Sequence, residues 1–310
     1  MSHQTNSTEK KFIEELSPFG DVFPHASMAE FTTFACGGPA DILLIPKDSE
    51  ALASFLKYSA GIDAPVTIIG GGSNLLVGDK GITGIVAAVR ETSAAALGRI
   101  EERGKGIVYA DASVRKSRFV DFCIERSLEG SEFLAGIPGC IGGGIAMNAG
   151  TADGTFADIL QTAYIASQRG GVLPLPADDL FAYRKFALPE GSVVTGGLFS
   201  LKQGNKTLLK QKVSETLAAR KAKHPLEYHS AGSVFKNPTG GFAWKLINDA
   251  GLRGARIGGA MVSDKHTNFI VNTGHGTADD IRRLIELVQE RVLAKFAVSL
   301  EPEVKFIGNF

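Results

Sequence analysis

Two glycine clusters are the parts of this chain best suited to chemistry. Gly70-Gly71-Gly72-Ser73-Asn74-Leu75 follows a short apolar run, and glycines at such a point let the backbone approach an anion closely with N–H groups turned toward it. The second cluster, Gly136-Ile137-Pro138-Gly139-Cys140-Ile141-Gly142-Gly143-Gly144, continues to Met147-Asn148-Ala149-Gly150 inside a stretch without charge. Peptide groups packed that densely need partners for their N–H and C=O groups, which a bound cofactor would supply. Leu75 stands where the dinucleotide fingerprint requires its last glycine, and no Gly-Lys-Ser/Thr occurs in the chain. A Rossmann site and a P-loop are therefore both excluded. One extended nucleotide cofactor held by the two loops is the reading they support as a pair. Two unrelated packing turns are the alternative.

Three polar positions stand out further along: Arg184 in Phe181-Ala182-Tyr183-Arg184-Lys185, Ser233 in Ser230-Ala231-Gly232-Ser233-Val234-Phe235-Lys236-Asn237-Pro238, and Glu303 in Leu300-Glu301-Pro302-Glu303-Val304. Taken singly, each has an ordinary reading as a solvated surface charge, a turn residue among small neighbours, and the outward member of an alternating strand. Arg220, Lys223 and Lys236 form a cationic set that suits a diphosphate or, equally, a solvated basic face.

The elements that must position these residues are legible in outline. Asp41–Pro46 reads as a strand, and Asp48-Ser49-Glu50 caps a helix with Leu52, Phe55 and Leu56 on one face. Val66–Ile69 is a second strand running into the first glycine loop. Further strands are expected at Ile85–Val89, Ile107–Ala112 and Ala163–Ser167, with a helix near Arg118–Ser127. The basic segment Lys202–Lys223 carries helical spacing at Leu208, Val213 and Leu217. Thr277–Phe296 is the clearest helix: Thr277 and Asp280 stand at capping-box spacing ahead of the stripe Ile281, Leu284, Ile285, Val288 and Val292. Pro302–Ile307 reads as a last short strand. The organisation expected is a polar N-terminal tail and lead-in at 1–19, α/β units at 20–80 and 81–201, and a third unit at 202–310.

Bulk properties narrow the function classes. At 310 residues the chain suits two or three packed units. Lys plus Arg and Asp plus Glu both number 33, so no whole-molecule field gathers nucleic acid or an anionic membrane. The polar start predicts residence in the cytoplasm. Phe133–Ala152 is an uncharged run long enough to span a bilayer, but six glycines and Pro138 exclude a lipid-facing helix. Three cysteines, Cys36, Cys123 and Cys140, without CxxC spacing indicate neither a disulfide framework nor a metal site.

Thr33-Phe34-Ala35-Cys36-Gly37-Gly38-Pro39-Ala40, the first glycine loop and the second follow one another in an order that resembles the FAD-binding half of the UDP-N-acetylenolpyruvoylglucosamine reductases. The resemblance runs in order from about residue 20 to the C-terminus. It implies an α+β fold in which two subdomains of the p-cresol methylhydroxylase/vanillyl-alcohol oxidase type, 20–80 and 81–201, hold FAD ahead of a C-terminal α+β substrate domain. Gly70–Leu75 of the first loop and Gly136–Gly139 and Gly142–Gly144 of the second, with Asn148 and Gly150, would bind FAD. Neither contains histidine, which implies a non-covalent cofactor. NADPH is the implied co-substrate, a UDP-sugar enolpyruvate the substrate, peptidoglycan precursor synthesis the setting, and a monomer the working form. An FAD-dependent oxidase on the same scaffold, or a nucleotide-sugar binding protein that has kept the fold without catalysis, are the competing readings.

The resemblance carries catalytic roles to Arg184, Ser233 and Glu303. Hydride added to the enolpyruvyl methylene leaves an enolate-like carboxylate, which a guanidinium fork and a protonated glutamic acid can meet. A carboxyl keeps its proton beside a negative charge, and the substrate carboxylate is one. The strongly basic carbon then takes a proton from a weakly acidic hydroxyl, for which Ser233 is the candidate. By the same resemblance Asn237 touches nucleotide, and His266 and Asn268 in Val262-Ser263-Asp264-Lys265-His266-Thr267-Asn268-Phe269-Ile270 orient substrate or flavin; a lone histidine is more often structural. Phe186 replaces the serine usual two residues after the arginine. Tyr228 is the only tyrosine between Arg184 and Ser233, which matches the shorter subtype without a tyrosine lid.

Overall fold

The computed structural model of the chain describes residues 7–62, 64–91 and 98–310; residues 1–6 of the polar lead-in lie outside them. Its helices are α1 (Ser7–Leu16), α2 (Ser49–Ser59), α3 (Lys116–Glu125), α4 (Ile141–Ala146), α5 (Lys206–Lys223), α6 (Ala243–Asp249) and α7 (Ala278–Phe296). With the strands they make an α+β fold gathered into two units. One takes the segment ending at Pro24, Ile42–Gly71 and Gly84–Leu217, and the other takes His25–Asp41, Gly72–Thr83 and Ala218–Phe310.

The first unit holds two cores. In one, α2 starts where Asp48 Oδ1 accepts the Ala51 N–H at 2.7 Å, a cap contributing about 1 kcal/mol. The helix buries Leu52, Phe55 and Leu56 as its spacing predicts, together with Leu16 of α1, which arises within the segment read as a lead-in. The sheet beside them has the order Gly20–Ser27, Pro39–Pro46, Ile82–Ala88, Val66–Ile69. Its last pair is parallel, with Val66 opposite Ile85 and Ile69 opposite Ala88, and so delivers Gly70 at a sheet end.

The second core is covered by an antiparallel five-stranded sheet, ordered Val172–Pro176, Leu160–Ala166, Val193–Ser200, Ile107–Asp111, Ile100–Gly104. Phe119 and Phe156 both meet Phe199 in it, with ring centroids 4.8 Å and 6.0 Å from it respectively. Buried rings of this size contribute roughly 1.5–3 kcal/mol each. Here α5 departs from expectation. Leu209 and Val213 face this core, while Leu208 and Leu217 are 64% and 46% exposed. Leu208 and Val213 are five residues apart, about 140° around a helix, so they cannot share a face; Leu209 and Val213 can.

In the second unit α7 packs its whole predicted stripe, Ile281, Leu284, Ile285, Val288 and Val292, out of solvent. Its N-terminal donors are well met. Thr277 Oγ1 accepts from Asp280 N and Asp280 Oδ2 from Thr277 N, and the Asp79 carboxylate accepts the Ala278 and Asp279 N–H groups at 2.8 and 2.9 Å. A four-stranded antiparallel sheet, His229–Ser230, Ile270–Asn272, Ala260–Val262, Arg256–Ile257, lies in the same unit. The last strand is shorter than predicted, Lys305–Ile307, and pairs in parallel with Leu75–Val77. No described helix is long and apolar enough to cross a membrane.

Candidate active site

In the first unit the two glycine loops meet. A Cβ built on Gly71 would lie 2.7 Å from Gly139 Cα, on Gly142 2.7 Å from Ala112 Cβ, and on Gly144 2.4 Å from the Phe156 ring. The protein's own packing therefore demands glycine at all three. Gly70 and Gly143 differ: a Cβ on Gly70 comes no nearer than 3.8 Å, to Gly143 N, and one on Gly143 meets nothing within 4 Å. Neither has a positive φ. Packing and backbone conformation leave these two glycines unexplained, whereas close approach of a ligand explains both.

Beside the loops lies a cavity of about 310 Å³ lined by Gly71, Arg90, Glu91, Arg115, Ser117 and Gly136–Cys140. Its loop is fastened by buried Lys116, whose Nζ donates to Pro138 O at 2.8 Å. Burial pushes the Cys140 thiol up, but Arg90, Lys116 and Arg115 all pull against it, with Glu91 opposing them. Three cations thus bear on the loop against one carboxylate, itself ion-paired with Arg118. Glycine backbone in a net positive field fits the diphosphate of a dinucleotide such as FAD. Arg90 and Arg115 escaped the sequence reading because they lie at the end of Ile82–Ala88 and ahead of α3, and only long-range pairing, such as the Arg115–Cys140 bridge, brings them to the loop.

Arg184 occupies the tip of a tight hairpin in the same unit, Phe181–Ala182 pairing with Lys185–Phe186. Its φ is 57°, a region that favours glycine and costs a residue with a Cβ about 1 kcal/mol or more. Phe186, where serine is usual, is 4% exposed, joins the second core, and stacks on Phe181 at 4.7 Å between centroids. It anchors the hairpin. The tip reaches back to the glycine segment: Arg184 Nη1 donates to Gly150 O at 3.2 Å, and Asn148 Nδ2 to Ala182 O at 3.1 Å.

The second unit brings Ser233 and Glu303 onto adjoining segments. Glu303 N donates to Val234 O at 2.7 Å, Lys236 N to Glu301 O at 2.9 Å, and Phe235 forms a bridge with Pro302. Buried Asn268 grips the serine segment, its Oδ1 accepting from Phe235 N and its Nδ2 donating to Phe235 O, while its own carbonyl accepts from Val234 N. Asn74, in the first glycine loop, donates from Nδ2 to Glu303 O at 2.9 Å and accepts Lys305 N on its carbonyl. Gly72, Ser73, Asn74 and Leu75 belong to this unit and Gly70 and Gly71 to the other. At Gly72, φ is 65° and a Cβ would strike Phe31 O.

The expected substrate residues also fall here. Lys236 Nζ is paired with Glu301 at 2.5 Å. Asn237 Oδ1 accepts the Ala243 N–H at the start of α6. Arg220 and Lys223 sit at the end of α5, just before His224. That histidine lies 5.6 Å from His266 and 4.9 Å from Phe269, ring to ring. His266 Nδ1 accepts the Asn268 N–H, linking the cluster to the serine segment. Burial, followed by Arg220, His266 and Lys223, pushes the His224 pKa down to about 4 from the ordinary 6.5. The unfolded chain therefore binds this proton first on acidification. Folding stability from His224 is fully present above pH 6.5 and is lost as pH falls toward 4. His224→Gln should flatten that part of a melting-temperature profile against pH; an unaltered slope would assign the loss to other groups.

A curated relative from Agathobacter rectalis, a UDP-N-acetylenolpyruvoylglucosamine reductase, is 42% identical over 98% of this chain and 100% of its own length. The chain belongs to the UDP-N-acetylenolpyruvoylglucosamine reductase family. A family member from Caldanaerobacter subterraneus subsp. tengcongensis is 39% identical over 96% of the chain and 97% of the relative. The crystal structure of the Thermus caldophilus reductase is similar over 92% of this chain and 98% of that one, at 33% identity and a TM-score of 0.78. Family models match two stretches of the chain: an FAD binding domain matches residues 40–175. The C-terminal domain of the reductase family matches 224–307, which contains Ser233 and Glu303.

Proposed function

We propose that this chain reduces UDP-N-acetyl-3-O-(1-carboxyvinyl)-glucosamine to UDP-N-acetylmuramate at the expense of NADPH, in peptidoglycan precursor synthesis in the cytoplasm. The observation that carries the reading is the pairing of the Ser233 segment with the Glu303 segment, which supplies a hydroxyl and a carboxyl from adjoining backbone. Bound FAD would supply to the enolpyruvyl double bond the hydride drawn from NADPH. Backbone of the two glycine loops would hold it, Gly70 and Gly143 allowing close approach, with Arg90 and Arg115 placed to neutralise its diphosphate.

Arg184 holds the substrate carboxylate through its guanidinium fork, and protonated Glu303 donates to the charge that develops there. Ser233 Oγ delivers a proton to the carbon bearing the carboxylate. Arg220, Lys223, Lys236 and Asn237 serve the UDP portion. His266 contributes through Asn268 to the placing of the serine segment.

Anaerobic titration tests the reading. Protein bleached with NADPH should regain its oxidised spectrum on adding the UDP-linked enolpyruvate and only slowly in air. Rapid recovery in air without substrate would instead favour an oxidase.

A further inference from the structure

The side chain of Asn148 spends both its ends on backbone. Its Oδ1 accepts the Ala157 N–H at 3.1 Å, and its Nδ2 donates to Ala182 O at 3.1 Å. Ala182 is the residue from which the Arg184 hairpin turns. Two residues after Asn148, Gly150 O accepts the Arg184 guanidinium itself. Asn148 is 8% exposed, and its φ of 41° lies in the left-handed region, which asparagine tolerates better than other residues with a Cβ. A residue that is buried, conformationally demanding and bonded at both ends of its carboxamide is set to hold something. What it holds is the strand leading to Arg184.

We propose that Asn148 is a positioning residue for Arg184: its carboxamide fixes the hairpin to the end of the glycine segment and so sets where the guanidinium stands. The inference rests on the reading of Arg184 as the group that meets the substrate carboxylate. Hinging the hairpin loose would displace the fork, and misplacement by about 1 Å in a site of this kind costs on the order of 100-fold in rate. The positive φ at Arg184 makes a fixed hairpin more necessary, because nothing in the preference of an arginine backbone maintains that turn.

Three variants of the FAD-loaded protein test this. Asn148→Asp keeps the acceptor for Ala157 N–H and removes the donor to Ala182 O. Asn148→Gly removes both bonds without adding charge, and its backbone accepts φ 41° freely, so it also guards against misfolding of the first variant. Arg184→Ala removes the positioned group. Both Asn148 variants should slow oxidation of the reduced protein by the enolpyruvyl substrate roughly 10- to 100-fold more than they slow its reduction by NADPH. Combined with Arg184→Ala, Asn148→Asp should add almost nothing, since both act through one group. Equal slowing of the two half-reactions would overturn the proposal in favour of a general structural role. Normal rates for Asn148→Asp and Asn148→Gly beside a slow Arg184→Ala would overturn the positioning role alone; a normal Arg184→Ala would overturn the reading of Arg184 and the proposal with it.

Discussion

Ser233→Ala should lower turnover of the enolpyruvyl substrate by about 10²- to 10⁴-fold, the range expected when a positioned proton donor is removed, and leave reduction by NADPH unchanged. The selectivity follows from how the segment is held. Asn268 fastens it through Val234 N, Phe235 N and Phe235 O, and Glu303 N bonds Val234 O, and Ser233 Oγ takes no part in these bonds. The substitution removes a proton and little else. Ser233→Cys, which keeps a dissociable proton, should recover part of the rate. Stopped-flow measurement of the two half-reactions separates the outcomes: substrate-driven oxidation as fast as in the parent would remove Ser233 as the donor.

Arg184→Gly should separate function from stability. At φ 57° glycine adopts the turn without the cost that arginine bears, and this offsets the lost bond to Gly150 O, so unfolding free energy should change by no more than about 1 kcal/mol in either direction. Turnover should nevertheless fall by about 10²- to 10³-fold, as when a donor to a developing anion is lost. Arg184→Lys keeps the charge without the fork and should remain well below the parent rate. Denaturant unfolding and steady-state kinetics on the same preparations check the pair. A glycine variant that keeps its turnover, or that loses its flavin, would contradict the role given to Arg184.

Local patterns were legible where one element decides its own outcome. The capping box and stripe of α7 and the Asp48 cap of α2 are written in consecutive residues and appear as read. The α5 stripe was misread because charge surrounds that helix and leaves a weak apolar pattern; ion pairs from Lys206 and Lys210 to Glu125 and from Lys212 to Glu132 hold it as well. The division into units was hidden for a different reason. Leu75–Val77 finds its partner at Lys305–Ile307, and Asp79 caps a helix that starts at Ala278, so segments 25–41 and 72–83 join the C-terminal unit through contacts that no local window contains.

The site shows the same limit. Arg184, Ser233 and Glu303 could be picked out only as members of motifs in a known order, since each alone resembles an ordinary turn or surface residue. The roles of Asn74, Asn148 and Asn268 were still less legible. Each grips the backbone of a segment carrying one of those three residues, and a side chain bonding to a distant main chain leaves no periodic trace in sequence. A non-glycine residue at positive φ in the Arg184 turn is likewise visible only in three dimensions.

The most direct measurement is NADPH oxidation at 340 nm by purified FAD-loaded protein, with and without UDP-N-acetylglucosamine enolpyruvate, and with the product identified by mass. The account predicts sustained consumption only when the enolpyruvate is present, with one UDP-N-acetylmuramate formed for each NADPH. Consumption that ignores the enolpyruvate, or none with flavin bound and substrate saturating, would contradict it.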